Sequence, residues 1–403
     1  MRLGKRATIP LGLFRMGILS MLLILLWSCA PAAAPPTATP PLKTAPQPAA
    51  APAPAAKATA APAATTAAAP AEKAKPSALA GVIEGAKKEG KVSILVVSGL
   101  VGDPVKQIQE GIKKKYGVDL QIEATPNNSY PVDLAKAIAE QKAGTAPSAD
   151  IVPLSDTSTM ESGRSGVAEK IDWAPLIPEG TPKEVIHRDG YAIRVFTTHA
   201  GMMFNPKAIP PAEAPKSFAD LANTKWQGKI AMFSYASMYN TYAYLRGVDK
   251  TLADLRGIMK NNPVVEVYAR GETRYRAGEY PILLTQSPTY IAARNEGIPV
   301  EWVSLDVSYL QSHHLIVRKG AKNLNAAKLV AAFLAGPEGH DIYKKTGRGS
   351  MLYSGNAEFD IYQLDRKAGL RLFNAEQSLD VVEALISEKG RGVEKEISEI
   401  LKG

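Results

Sequence analysis

From residue 77 onward the apolar positions alternate between two patterns. Short runs rich in apolar residues occupy residues 92–97, 149–154, 228–233 and 281–285. Their length suits strands buried in a sheet. Residues 118–124, 191–198, 201–204, 264–268, 300–305 and 312–317 also read as strands. Between them lie helix-spaced segments at 77–90, 104–116, 131–144, 238–246, 251–261 and from 289. Three more follow toward the C-terminus at 323–334, 337–346 and 378–401. In the first, Leu79, Val82, Ile83 and Ala86 share a face, and Gly90 ends it. Ser217 caps a short helix, and Ser287 with Pro288 reads as the cap and first turn of the helix from 289. Three strand–helix units in succession from residue 92 imply an α/β fold with a parallel sheet and right-handed crossovers.

Strand, polar loop, helix start is the recurring local form. In an open α/β sheet such loops lie at the carboxyl edge, where ligands bind. The loops predicted to converge on one cleft supply Ser98 and Gly99, then Thr125, Asn127 and Asn128, then Ser155 and Asp156. A second set supplies Ser234, Tyr235, Tyr239 and Asn240, then Arg270 and Glu272, then Gln286, Ser287 and Tyr290. Free N–H groups at helix starts favour an anion or polar oxygen there, although helix capping alone explains any single residue. Arg270 at a strand end could hold a carboxylate or phosphonate through two parallel hydrogen bonds. The competing role is a surface pair with Glu272 or Asp306. His313 and His314 are neighbours on a strand, point to opposite faces and cannot easily share one metal ion. Trp173, Trp226 and Trp302 form no aromatic group that would floor a sugar site.

The first 76 residues follow neither pattern. Arg2, Lys5, Arg6 and Arg15 precede a short apolar core at 17–27, which reads as an export signal. The core ends at Leu26-Trp27-Ser28-Cys29 and resembles a lipobox, with Cys29 as the acylated residue, although Trp27 departs from the usual small residue. Cys29 is the one cysteine, so no intramolecular disulfide is possible. Residues 30–76 are almost wholly Ala, Pro and Thr and read as a disordered tether. The formal net charge is +9, but residues 1–28 contribute four of those charges and residues 30–76 three more. The rest of the chain sits near +2. The basic pI therefore gives no warrant for nucleic-acid binding.

Several segments together resemble extracellular solute-binding proteins of ABC importers, of the class that includes ferric-ion binders. They are AKKEGKVSILVVSG at 86–99, TTHAGMMFNPKAI at 197–209, SFADLANTKWQGKIAMFS at 217–234, YRAGEYPILLTQSPTYIAARNEG at 275–297, and SHHLIVRKGAKNLNAAKLVAAFLAGPEG at 312–339. The resemblance implies a two-lobed periplasmic-binding-protein fold of type II, each lobe an open sheet flanked by helices. Lobe one would hold residues 77–200 and 312–403, and lobe two residues 201–311. A hinge would lie near 198–204 and 305–314. It also implies a lipid-anchored, exported monomer that closes on a small solute and delivers it to a membrane permease; a sensor is the alternative partner. The ferric branch places adjacent tyrosines where this chain has Thr289-Tyr290. Only Tyr290, with Tyr239 from a neighbouring loop, could then serve ferric ion, the one metal the resemblance raises as cargo. A small organic anion suits Arg270 and the amide-rich loops better. No cofactor is implied. Against an enzyme, the chain contains no G-x-S-x-G, P-loop, HExxH or dinucleotide fingerprint, and Ser98 lacks a nearby histidine for a triad.

Overall fold

The computed structural model describes residues 77–403, apart from 98, 128, 188 and 375–377. The expected signal, tether and Cys29, as well as Ser98 and Asn128, lie outside the described residues.

The first elements are α1 (Ala78–Glu89), β1 (Lys91–Val96), α2 (Asp103–Tyr116), β2 (Gln121–Pro126), α3 (Tyr130–Ala143), β3 (Ile151–Ser155) and α4 (Asp156–Arg164). Proline in the first turn and glycine just past the last bracket both α2 and α3. Three lysines in the last turn of α2 complement its helix dipole. The long strand β4 (Ile193–Phe204) follows, then the short helix α5 (Phe218–Leu221), held by a capping box between Ser217 and Asp220. Next come β5 (Ile230–Phe233), α6 (Ala236–Arg246), α7 (Val248–Met259), β6 (Val264–Glu266), α8 (Tyr268–Arg276), β7 (Ile282–Gln286), α9 (Ser287–Asn295) and β8 (Glu301–Val303). The chain ends with β9 (Ser308–Val317), α10 (Leu324–Ala335), α11 (Pro337–Lys345), α12 (Ala357–Lys367), β10 (Leu372–Asn374), α13 (Leu379–Ile386) and α14 (Glu388–Lys402).

Among the described residues ten strands form one mixed sheet in the order β2-β1-β3-β9-β4-β7-β5-β6, with β10 beside β9 and β8 beside β4. The expected parallel pairs are present among β1, β2 and β3, and again among β5, β6 and β7. Between these groups β9 and β4 run antiparallel to each other, β9 antiparallel to β3, and β7 antiparallel to β4. The two strands read at 191–198 and 201–204 are therefore one. Gly201 does not break it, because a Cβ there would stand 2.6 Å from the Val303 carbonyl oxygen; the close approach of β8 requires glycine.

Two large apolar clusters pack on this sheet. The first gathers α1, α2 and α10 against β1, β3, β9 and the start of β4. Helix α10 is apolar nearly all round, as a helix enclosed by others must be. Its N-terminus is capped by the Glu89 carboxylate, which accepts from the Ala326 N–H at 2.7 Å. The second cluster joins α6 and α7 to β4, β5 and β7 and includes Val381, Val382, Leu385, Val393, Ile397 and Leu401. So α13 and α14 pack with residues of the 201–311 region, whereas the resemblance groups 312–403 with the first half. The single helix read at 378–401 is two, broken at Ser387, whose side chain caps the second. The strand read at 264–268 ends at Glu266, and α12 and β10 had no counterpart in the sequence pattern.

Candidate functional site

Strand register brings the two carboxyl edges together. Ser155, the last residue of β3, pairs with His313 of β9, which pairs with Phe196 of β4. Gln286, the last residue of β7, pairs with Ala200 of β4. β3 and β4 run in the same direction and β7 runs against them. The two carboxyl edges thus face each other across residues 196–200 of β4, about 13 Å of strand.

Directly paired residues share a face. Phe196, Thr198, Gln311 and His313 lie on one face of this stretch, and Thr197, His199, Ser312 and His314 on the other. The second face is sealed. His199, Ser312 and His314 are fully buried. There the His199 Nδ1–H donates to Glu358 at 2.6 Å, the Ser287 hydroxyl donates to the other Glu358 oxygen, and the His199 N–H donates to Ser287 Oγ at 2.9 Å. Asp156 accepts from the Ser312 N–H at 3.0 Å. The first face keeps partial access at Gln286, Gln311, Tyr130 and Arg348. We therefore place the candidate site there.

Its floor is polar and well ordered by its own contacts. Gln286 Nε2 donates to Gln311 Oε1 at 2.8 Å, spanning β4. His313 stacks on Phe196 with ring centroids 4.1 Å apart. Its Nε2 lies 3.0 Å from Thr198 Oγ1 and its Nδ1 2.7 Å from Tyr130 Oη. Arg348 comes from the segment after α11. Gly349 pairs with Thr197 on the β4 edge that β7 leaves open. The neighbouring Arg348 guanidinium lies over Phe196 and 3.4 Å from where a Cβ on Gly99 would stand. Gly99 has φ +87°, so both its backbone and its neighbour favour glycine.

Burial lowers the Arg348 guanidinium pKa, yet a guanidinium stays charged at any ordinary pH. Burial, with the charges of His314 and Arg348, also holds His313 well below the usual imidazole value. Near pH 7 the floor is thus neutral at His313 and positive at Arg348. A depressed histidine pKa means the unfolded chain binds more protons, so stability falls as pH drops through the unfolded value of about 6.5. Melting temperature measured from pH 7.5 down to 5.5 should fall, with His313 contributing up to about 1.4 kcal/mol per pH unit. His313→Gln should flatten that slope; an equal slope would assign the effect to other groups.

The structure places the expected residues unevenly. Gly99 and Asn127 sit at the carboxyl edges of β1 and β2, and Gln286 at that of β7. Ser155 and Asp156 are at the edge of β3 but buried, Asp156 holding β9. Ser234 and Tyr235 follow β5. Tyr235 is 40% exposed, and its ring lies 4.8 Å from Tyr268, which in turn packs on Phe233. A tyrosine-rich group therefore stands where the tryptophans suggested none.

Six residues have other engagements. Tyr239 is fully buried, and its hydroxyl donates to the Phe233 carbonyl at 2.9 Å. Asn240 is buried and donates to the Gly390 carbonyl on α14. Ser287 serves the Glu358 network rather than capping a helix: it is the first residue of α9, and Gln286 is the cap. Tyr290 packs against Trp302, beside Met203 on the sealed face. Arg270 is on α8, 75% exposed, with its Nε 3.9 Å from Glu266, while Glu272 pairs with Arg276. Arg270 is thus in a surface ion pair, though with a different carboxylate from those expected. Arg348 was missed. Its only signal is the flanking glycines of TGRGS, and pattern alone cannot show that this segment returns to the β4 edge.

A strand-edge floor between two parallel strand groups defines a ligand-binding α/β protein. A family model described as bacterial extracellular solute-binding protein matches residues 107–358, and the chain belongs to that family. It is a solute-binding protein, not an enzyme. Several solved structures share its fold. Iron-bound HitA from Pseudomonas aeruginosa is 16% identical, with TM-score 0.57 over 76% of this chain and 99% of that one. AfuA from Actinobacillus pleuropneumoniae, with fructose-6-phosphate bound, is 18% identical, with TM-score 0.58 over 78% and 99%. The spermidine/putrescine transporter protein PotD from Streptococcus pneumoniae is 15% identical, with TM-score 0.57 over 77% and 98%. No curated protein sequence matches the chain.

Proposed function

We propose that the chain is the solute-capturing lipoprotein of an ABC importer, exported, held to a membrane through acylated Cys29, and passing its solute to a permease. The observation that carries this reading is the facing pair of carboxyl edges across β4 and β9. A solute there would touch both strand groups, and contact with both is what lets a ligand favour a closed state. The two groups would act as lobes, and residues 198–204 and 305–314 as the hinge.

The ligand we favour is a small organic anion. Arg348 would take its charged end, with the loops at Gly99 and Asn127 beside it. Gln286 and Gln311 would bind its polar groups, and Ser234 and the Tyr235–Tyr268 pair would cover its far side. Ferric ion fits less well, because Tyr239 has its hydroxyl committed inside the core and Tyr290 packs on Trp302. Among the described residues no three His, Cys, Asp or Glu side chains group to hold a metal.

A thermal-shift screen over carboxylates, phosphonates, sugars, polyamines and ferric ion identifies the solute, since tight binding raises apparent stability by mass action. Small-angle scattering with that solute should then show the radius of gyration contracting. An identical curve with and without a tightly bound solute would overturn the closing mechanism.

A further inference from the structure

We propose a second binding site, separate from the strand-edge floor, for a small multivalent anion of the phosphate class. It is a cavity of about 220 Å³ between α9 and the chain from residue 344 to 360. Arg294, Lys344 and Arg348 line it, with Asp360 as the only carboxylate among the described residues of its wall. Its lining is therefore net positive by two charges.

Arg294 and Lys344 supply the pocket's uncompensated charge. Neither has an ion-pair partner among the described residues, whereas Arg246, Arg256, Arg274, Arg276 and Arg318 all do. An anion held between Arg294 and Lys344 would gain charge-assisted hydrogen bonds from two cations that have no ion-pair partner among the described residues. The same cavity receives the N-terminus of α12 at Asn356 and Ala357, where the helix dipole adds partial positive charge. A water needs only about 10–15 Å³ of such space, so a phosphate carrying an organic group fits. Asp360 would disfavour a second negative group at its end and accept a hydrogen bond from a hydroxyl. An occupant would tie α9 to the segment before α12, the two elements that Ser287 and Glu358 already join from beneath.

The test uses the full chain, with inorganic phosphate and glycerol phosphate as probes in titration calorimetry. Both should bind, more weakly at high salt. Arg294→Gln and Lys344→Gln should each weaken binding by on the order of tenfold, and Asp360→Asn should tighten it severalfold. These three side chains are exposed, so melting temperature without phosphate should stay unchanged. Arg348 borders both sites and is left intact. The solute found by the screen should still bind the Arg294→Gln/Lys344→Gln double variant at wild-type strength. No binding of either probe, or unchanged binding in the double variant, would overturn the proposal. Loss of the screened solute in that variant would also overturn it, by making the two sites one.

Discussion

Replacing Glu358 with alanine is expected to destabilise the protein by about 3–5 kcal/mol. Glu358 is fully buried and accepts from His199 Nδ1–H at 2.6 Å and from the Ser287 hydroxyl. Burial raises its pKa, and the nearby His199 partly offsets that. Removal leaves two buried donors without an acceptor and opens a void beside Gly349, whose Cβ position stands only 2.9 Å from the Glu358 side chain. Because the network joins β4, α9 and α12, the loss should appear as a lower urea midpoint with an unchanged slope. Glu358→Gln keeps one acceptor and should lose less. A midpoint shift equivalent to under about 1 kcal/mol for the alanine variant would show that the network adds little beyond packing.

Arg348→Ala should weaken binding of an anionic solute by about 10- to 100-fold, the usual worth of hydrogen bonds to a charged group. The guanidinium lies where the loop at Gly99 meets the β4 edge, and its reduced hydration strengthens any ion pair it forms. Arg270→Ala is the natural comparison. It removes an exposed side chain paired at 3.9 Å and should change affinity by less than about threefold. Calorimetry with the solute from the screen checks both. Equal effects for the two variants would remove Arg348 from the site.

The α/β class and the parallel strand groups were legible because each run alternates with a helix period and is punctuated by Gly and Pro. The ends of β1, β2 and β7 were legible for the same reason, and with them Gly99, Asn127 and Gln286. Tyr239 and Asn240 misled because a residue just past a strand end looks alike whether it turns outward or inward. Their helix, α6, turns them onto Phe233 and α14, which are contacts across the fold. Arg270 misled because β6 stops at Glu266, two residues earlier than its apolar run. Arg348 and Glu358 lie in a stretch without periodicity, and only tertiary pairing with Thr197 and His199 gives them a place.

The second apolar cluster draws its last members from Val393, Ile397 and Leu401. The chain is made from its amino end, so that cluster stays incomplete until residues 393–401 have been synthesised. Early segments can gather local helices, but β5, β7 and α6 must wait for α14 to cover them. Under the proposed export, late completion would keep the nascent polypeptide pliable while it crosses the membrane.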